Sequence, residues 1–390
     1  VSPVLFICQM ELRRILTLRP VFSVMIIAVV IYSAFYPQPY RSESLRDVPI
    51  ALVDLDDSDM SRTFARRLDA SADVAIVTAL PDVVSAQREV FARHLHGILV
   101  IPKFFERDLL HGRPSPLALY ADASYFLLYS RISGAMTALA KTMGAEIEAK
   151  RLVAAHVDPD LAVAATDPMP LTAIPLFNPQ SGYATYILPA AFLLVLQQTL
   201  LIGVGLLGTY PNAWEQAARD RRIGAVDRII GCLLAYLVVE AFAFAFYLIV
   251  LPYLYGIPRL GAIGPMAAVA VPFILGVCGL GMLIARLLRN PVLVQLVTAA
   301  LGLPFIFMAG FTWPAEAMPE ILKKAALVIP STSAINALVN LGQLGASLQD
   351  VGTYVLTLVS LAVFYCGLAV ILEARSGREH GTPVHADPGA

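Results

Sequence analysis

Residues Leu171 to Gly208 read LTAIPLFNPQSGYATYILPAAFLLVLQQTLLIGVGLLG. From Tyr186 to Leu207 the stretch carries no formal charge, and only Gln197, Gln198 and Thr199 interrupt its apolar run. A helix needs about 20 apolar residues to cross a ~30 Å hydrocarbon core. Lipid cannot hydrogen-bond a bare backbone, so a run of this kind is expected to be helical. Just upstream a long water-soluble segment ends. Downstream, the chain is dominated by apolar runs.

The whole chain agrees with that reading. Its 390 residues are 58% hydrophobic and 15% charged, with a mean hydropathy of +0.70, which belongs to a polytopic membrane protein. A net charge of −1 excludes a basic nucleic-acid binder. Cys8, Cys232, Cys278 and Cys366 are scattered through apolar or membrane-proximal segments. None falls between Arg41 and Leu171, so that segment has no internal disulfide. No CxxC or His/Cys spacing points to a metal.

Taken in order, residues 1–19 interleave apolar positions at helical spacing with Glu11, Arg13, Arg14 and Arg19. This predicts an amphipathic helix on the cytoplasmic membrane surface. Residues 20–37 form a first span. The run is short and follows basic residues, so a cleaved signal peptide competes with it. Its aromatic end and Pro37 favour a retained anchor, and the arginines before it place the N-terminus inside.

Residues 40–173 predict an extracytoplasmic (periplasmic) α/β domain. Strand runs are Val48 to Asp56, Asp73 to Leu80, Gly97 to Pro102 and Pro116 to Asp122. A helix capped by Ser58 or Asp59 runs to Leu68, a second runs from Pro81 to His94, and a long one covers Phe126 to His156. Strands alternating with helices argue for βαβ units and a small parallel or mixed sheet. Asp54, Asp56, Asp57 and Asp59 look like a metal loop but lack the glycine and distal Glu of an EF-hand. They read better as a solvated, capped turn. His94, His96 and His111 fall on a helix end and a loop and read the same way.

Residues 183–311 carry spans 2–5, residues 312–350 form external short helices, residues 351–373 make span 6, and residues 374–390 are a polar cytoplasmic tail, expected to be disordered. Arg219, Arg221, Arg222 and Arg228 outnumber Glu215, Asp220 and Asp227 in the loop after span 2. Arg286, Arg289, Arg375 and Arg378 mark two more inner junctions, while Lys323 and Lys324 oppose the count weakly. The fold class is therefore a polytopic α-helical membrane protein with six transmembrane helices and an inserted extracytoplasmic α/β domain. Both termini are inside.

No catalytic constellation is visible: there is no GxSxG, HExxH or placed GxGxxG. Gly134 to Thr142, GAMTALAKT, has the wrong spacing for a phosphate loop. The chain is read as no enzyme, with no cofactor of its own. Glu240, in the middle of an apolar span, should face a partner, a cavity or a subunit seam; a structural hydrogen bond within the bundle is the leading expectation, with substrate or proton handling as the alternative. Gln197 and Gln198 read as interhelical bonds, with a lining role as the alternative.

The order of several segments resembles a known family. They are ALVDLDDSDMSR (Ala51 to Arg62), GILVIPKFFERDLLHG (Gly97 to Gly112), LYADAS (Leu119 to Ser124), NPQSGYATYILPA (Asn178 to Ala190) and AGFTWPAEAMPEILKKAALVIPST (Ala309 to Thr332). Together they are similar to the type-2 ABC exporter permeases of bacterial inner membranes, in the branch with a large periplasmic domain between the first two spans.

That resemblance implies a multi-pass subunit exporting a small or hydrophobic compound, with ATP and Mg held by a separate ABC ATPase dimer. It also implies a second permease, identical or related; members of this branch pair with membrane-fusion adaptors, and whether an adaptor and an outer-membrane channel complete the path is left open. It points to Glu11, Arg13, Arg14, Glu215, Arg219, Asp220, Arg221, Arg222 and Arg228 as candidates for ATPase coupling. Ala225 stands where the family's loop often has threonine. The alternative is a membrane-anchored sensory or envelope-assembly protein whose outer domain binds a ligand without transport. A sensor should carry a cytoplasmic signalling domain, and only a short polar tail is expected here.

Overall fold

The structure is a computed structural model that describes residues 2–41, 44–178, 182–211, 218, 221 and 223–379. The chain divides into two compact units: Ser44–Ile174, and the remainder, which holds the long apolar helices.

Along the chain the elements are α1 (Pro3–Thr17), α2 (Arg19–Tyr40, with a π-turn at Ser23–Ile27), β1 (Val48–Asp54), α3 (Asp59–Asp69) and β2 (Val74–Ala79). Then come α4 (Val83–Phe91), β3 (Gly97–Ile101), α5 (Phe105–Leu110), β4 (Ala118–Ala121), α6 (Phe126–Ala154) and α7 (Pro159–Thr166). The remaining helices are α8 (Tyr183–Leu207), α9 (Ala225–Tyr255), α10 (Ile263–Leu288), α11 (Pro291–Met308), α12 (Glu320–Ala326), α13 (Pro330–Gly342) and α14 (Gly352–Glu379).

Six of these, α2, α8, α9, α10, α11 and α14, are long and apolar enough to cross a membrane. In α8, 83% of the most apolar window is buried inside the unit, against 17% in α11 and 28% in α2. The stretch that decides the fold is therefore its central helix. Close packing around it depends on small residues, as in membrane bundles generally. A Cβ on Gly203 would collide with the Met25 side chain, which fixes how closely α2 approaches α8.

One expectation changes here. Of its charges the helix α1 keeps Arg13 on an outer face and turns Glu11 and Arg14 inward. It buries Ile7, Cys8, Glu11, Arg14 and Ile15, while Leu5 and Leu16 are exposed. A Cβ on Gly231 of α9 would lie 2.6 Å from Ile7 Cβ, so the packing of α1 on α9 is intimate. In the 312–350 segment, α12 and α13 meet at 86°. The second of them is buried almost throughout, from Pro330 to Gly342. Gln343 donates to the Thr185 carbonyl just beyond it.

In the 44–174 unit the sheet order is β2-β1-β3-β4, with β1 parallel to β2 and β3, and β4 antiparallel to β3. The strand β3 is buried along its whole length, between strands on both sides. Ser58 caps α3 in a reciprocal box with Ser61. The second helix is shorter than its pattern: Asp82, not Pro81, caps it, and it ends at Phe91 rather than His94.

Candidate coupling and transport sites

At the end of α8 the last backbone carbonyls lack intrahelical partners. Arg14 reaches across from α1 and supplies donors there: its Nη2 lies 3.0 Å from the Leu207 carbonyl and 3.2 Å from that of Tyr210. A cation at a helix C-terminus also meets the negative end of the helix dipole. The other Arg14 nitrogen, Nη1, is 2.7 Å from Glu11 Oε2. The second Glu11 oxygen accepts from the Tyr236 hydroxyl on α9 at 2.7 Å. Three helices are thus tied together by one buried ion pair.

Beside it lies a second polar knot. Arg228, where α9 begins, stands 3.4 Å from Glu373 of α14, and Arg286 of α10 also pairs with Glu373. Both knots border one small cavity of about 70 Å³. Of the residues singled out in sequence, Glu11, Arg14 and Arg228 converge here. Arg13 is exposed on α1, and the Arg221 guanidinium stacks over the Phe6 ring at 4.1 Å. Glu215, Arg219, Asp220 and Arg222 lie outside the described residues. Sequence reasoning overlooked Tyr236 and Glu373. An acid closing the last apolar run, two residues before an arginine, is the signal that would have drawn attention to Glu373.

The opposite half of the bundle carries a groove of about 490 Å³ bordered by α2, α8 and α11. Its walls are mostly apolar, with Gln198 and Thr199 as polar points. At its mouth Tyr36, Tyr40, Tyr183 and Tyr186 form a ladder, with successive ring centroids 5.9, 5.7 and 6.1 Å apart. Tyr186 donates to the Phe311 carbonyl. The sequence reading missed this ladder, although the i, i+4 and i, i+3 tyrosine pairs at two span ends suit interfacial aromatics.

The glutamines do different things. Gln197 is 1% exposed; its amide donates to Ser331 Oγ at 2.9 Å and accepts from the Ser331 N–H at 2.8 Å, pinning the buried start of α13 to α8. Gln198 donates to the Thr298 carbonyl of α11 at 2.5 Å and borders the groove. Glu240 is also 1% exposed, yet neither carboxyl oxygen has a hydrogen-bond partner among the described residues. The structural hydrogen bond expected for it is not made within that part of the chain.

In the other unit the acidic cluster is occupied by local structure. Asp54 accepts from the N–H groups of Asp56 and Asp57 at 3.0 Å each and from Ser61 Oγ at 2.6 Å. Asp57 and Asp59 each pair with Arg62 at 2.8 Å. The hydrogen bond from Arg62, with its charge, holds the Asp59 carboxyl below the usual range. His94 pairs with Glu89, and His111 with the Arg107 carbonyl. Among the described residues no three His, Cys, Asp or Glu side chains converge as a metal site.

Comparison with known proteins supplies the wider setting. Residues 20–371 match the ABC-2 family transporter protein family. The "Probable multidrug ABC transporter permease YbhS" of Escherichia coli (strain K12) is 24% identical over 204 residues, which is 51% of this chain and 54% of that protein. The chain thus spans about half the length of that curated relative. The "Linearmycin resistance permease protein LnrN" of Bacillus subtilis (strain 168) is 24% identical over 373 residues, covering 89% of this chain and 93% of that one.

Proposed function

This chain belongs to the ABC-2 transporter family, whose members are transport permeases and not themselves catalysts, and we propose that it exports a small or hydrophobic compound using ATP hydrolysed by a separate subunit. The observation that carries the reading is the tie of α1 to the end of α8 and to α9 through Arg14, Glu11 and Tyr236. A push on a loosely seated surface helix would be lost as sliding. A push on α1 is passed to the central helix through charge-assisted bonds, which are stronger than neutral ones.

In this reading the arginine-bearing end faces the cytoplasm and the 44–174 unit lies outside, in the inner membrane of a bacterium. A dimer of ABC ATPases docks at that end, against the exposed Arg13 and Arg221 and the segment containing Glu215, Arg219, Asp220 and Arg222. Glu11, Arg14 and Arg228 then act behind the contact, as transmitters. The groove of α2, α8 and α11 faces a second permease or the substrate, and its tyrosines and apolar walls suit a hydrophobic compound. The relatives named for multidrug and linearmycin resistance support that substrate class. An adaptor and an outer-membrane channel would continue the path.

The test is co-purification from native membranes in mild detergent, with an ATPase assay on the eluate and efflux measured in cells. Recovery of an ABC ATPase, and loss of efflux with hydrolysis retained when Arg13 and Arg221 are neutralised, is the expected result. A well-folded protein that brings down no ATPase would overturn the reading.

A further inference from the structure

Next to the small polar cavity, the ends of α8, α10 and α14 enclose a larger one of about 730 Å³. Its cationic rim is Arg286, Arg289 and Arg375, and its apolar wall includes Leu283, Leu287, Leu368 and Leu372. Among the described residues no acidic side chain lines it: Glu373 turns to the smaller cavity instead. We propose that this cavity binds an anionic phospholipid, with the headgroup phosphate among the three arginines and an acyl chain along the leucines.

Three observations carry the assignment. The first is charge: Arg289 and Arg375, from two helices, border one space with no acid in its described lining, an arrangement that an anion relieves, and Arg286, already paired with Glu373, stands beside them as a third guanidinium. Basic pockets between transmembrane helices are where anionic headgroups bind. The second is depth. Arg289 is the residue at which α10 ends, in a left-handed conformation (φ 53°), and Arg375 closes the sixth apolar helix. Both stand where a span meets the headgroup layer. The third is the wall. Leu287 is 82% exposed and Leu368 36%, directly beside the arginines. A site for a soluble anion has no use for such a wall; a lipid has both halves.

The site also has a consequence for its neighbour. Arg286 borders both cavities and pairs with Glu373, which in turn faces Arg228. A phosphate drawn to Arg286 competes with Glu373 and leaves that carboxylate to Arg228. Lipid occupancy therefore bears on the polar knot where α9, α10 and α14 meet.

The experiment uses the full chain, purified in detergent and stripped of lipid, and reads bound lipid by native mass spectrometry alongside thermal unfolding. Phosphatidylglycerol should be retained and raise the unfolding temperature, while phosphatidylcholine with the same acyl chains should not. Soluble glycerol phosphate should give no shift. The double variant Arg289→Asn/Arg375→Gln should bind phosphatidylglycerol about tenfold or more weakly, at roughly 1 kcal/mol per basic residue. The variant Arg289→Lys/Arg375→Lys should keep the preference. If the neutral variant fails to fold, Leu372→Trp, which keeps every charge and fills the wall, should reduce retention by itself. Equal retention of both lipids, a preference that survives both the neutral and the wall variants, or a full shift from glycerol phosphate alone would overturn the proposal. The measurement involves neither ATP nor transport, so its failure leaves the export reading untouched.

Discussion

Glu11 and Glu240 are both 1% exposed, and both lie in the same helical unit. Glu11 is held by Arg14 at 2.7 Å and by the Tyr236 hydroxyl at 2.7 Å. Glu240 has no hydrogen-bond partner among the described residues, although Tyr236 stands one turn away on its own helix. The hydroxyl of Tyr236 carries one proton, and it is committed to Glu11 of α1. Burial alone thus says little about what a carboxylate does; the donors that reach it decide whether it locks the structure or burdens it.

The comparison breaks most sharply at Arg14. Replacing it with alanine leaves Glu11 buried without its cation and takes the Arg14 donors from the carbonyls of Leu207 and Tyr210. Breaking a buried pair from one side costs about 3–5 kcal/mol. Arg14→Ala should therefore lower thermal stability in detergent more than any single substitution at Gln197, Gln198, Glu240 or Asp59. A cycle with Glu11→Leu should show strong coupling between the two positions. Independent, additive losses would mean that the pair is not the tie it is taken for.

Glu240 should respond in the opposite sense. Leucine at that position removes a carboxyl that has no hydrogen-bond partner among the described residues, whose burial costs on the order of 1–3 kcal/mol, and fills a similar volume. Glu240→Leu should raise the unfolding temperature, where Glu11→Leu lowers it. If both substitutions destabilise equally, Glu240 has a partner in the folded ensemble and the contrast collapses.

How much of this could be read in advance depends on the distance along the chain between partners. The apolar helices were legible because each is one contiguous run; the four spans expected within 183–311 are the helices α8, α9, α10 and α11. The strands were legible for the same reason, with β3 expected at 97–102 and found at Gly97–Ile101. Glu240 stood out because nothing near it in sequence is polar. The burial of Glu11 and Arg14 was not legible. Their i, i+3 spacing is visible, but the Leu207 carbonyl that draws Arg14 inward lies 193 residues away. The tyrosine ladder joins Tyr40 to Tyr183 across the whole intervening unit of sequence. The polar Ser-Thr-Ser start of α13 argues for a place outside the core, and the Gln197 bonds to Ser331 that admit it belong to another helix.

Gln197 tests that last point with a smaller effect. Gln197→Leu removes the bond to the Ser331 hydroxyl and strands its buried N–H. Interhelical hydrogen bonds in membranes contribute from about 0.6 to 2 kcal/mol, so a loss in the upper part of that range is expected. It should sit between the Arg14 effect and nothing. Gln198→Leu, which removes a single bond to a backbone carbonyl, should lose less. Equal losses would place both glutamines in the same role.

The smallest effect belongs to the pair with the same spacing as Glu11 and Arg14. Asp59 and Arg62 are also i, i+3, at 2.8 Å, but their side chains are 93% and 47% exposed. Exposed pairs exchange protein contacts for water and are screened by salt, so Asp59→Asn should leave unfolding near neutral pH unchanged within error. Arg62 holds the folded Asp59 carboxyl below its ordinary value, so the pair's contribution is present above the unfolded value and is lost as pH falls through the folded one. Wild type and Asp59→Asn should therefore show parallel stability above about pH 5, and any small gap should close below about pH 4. A gap at neutral pH approaching that of Arg14→Ala would show that spacing and distance, rather than burial and the donors it recruits, set the strength of these pairs.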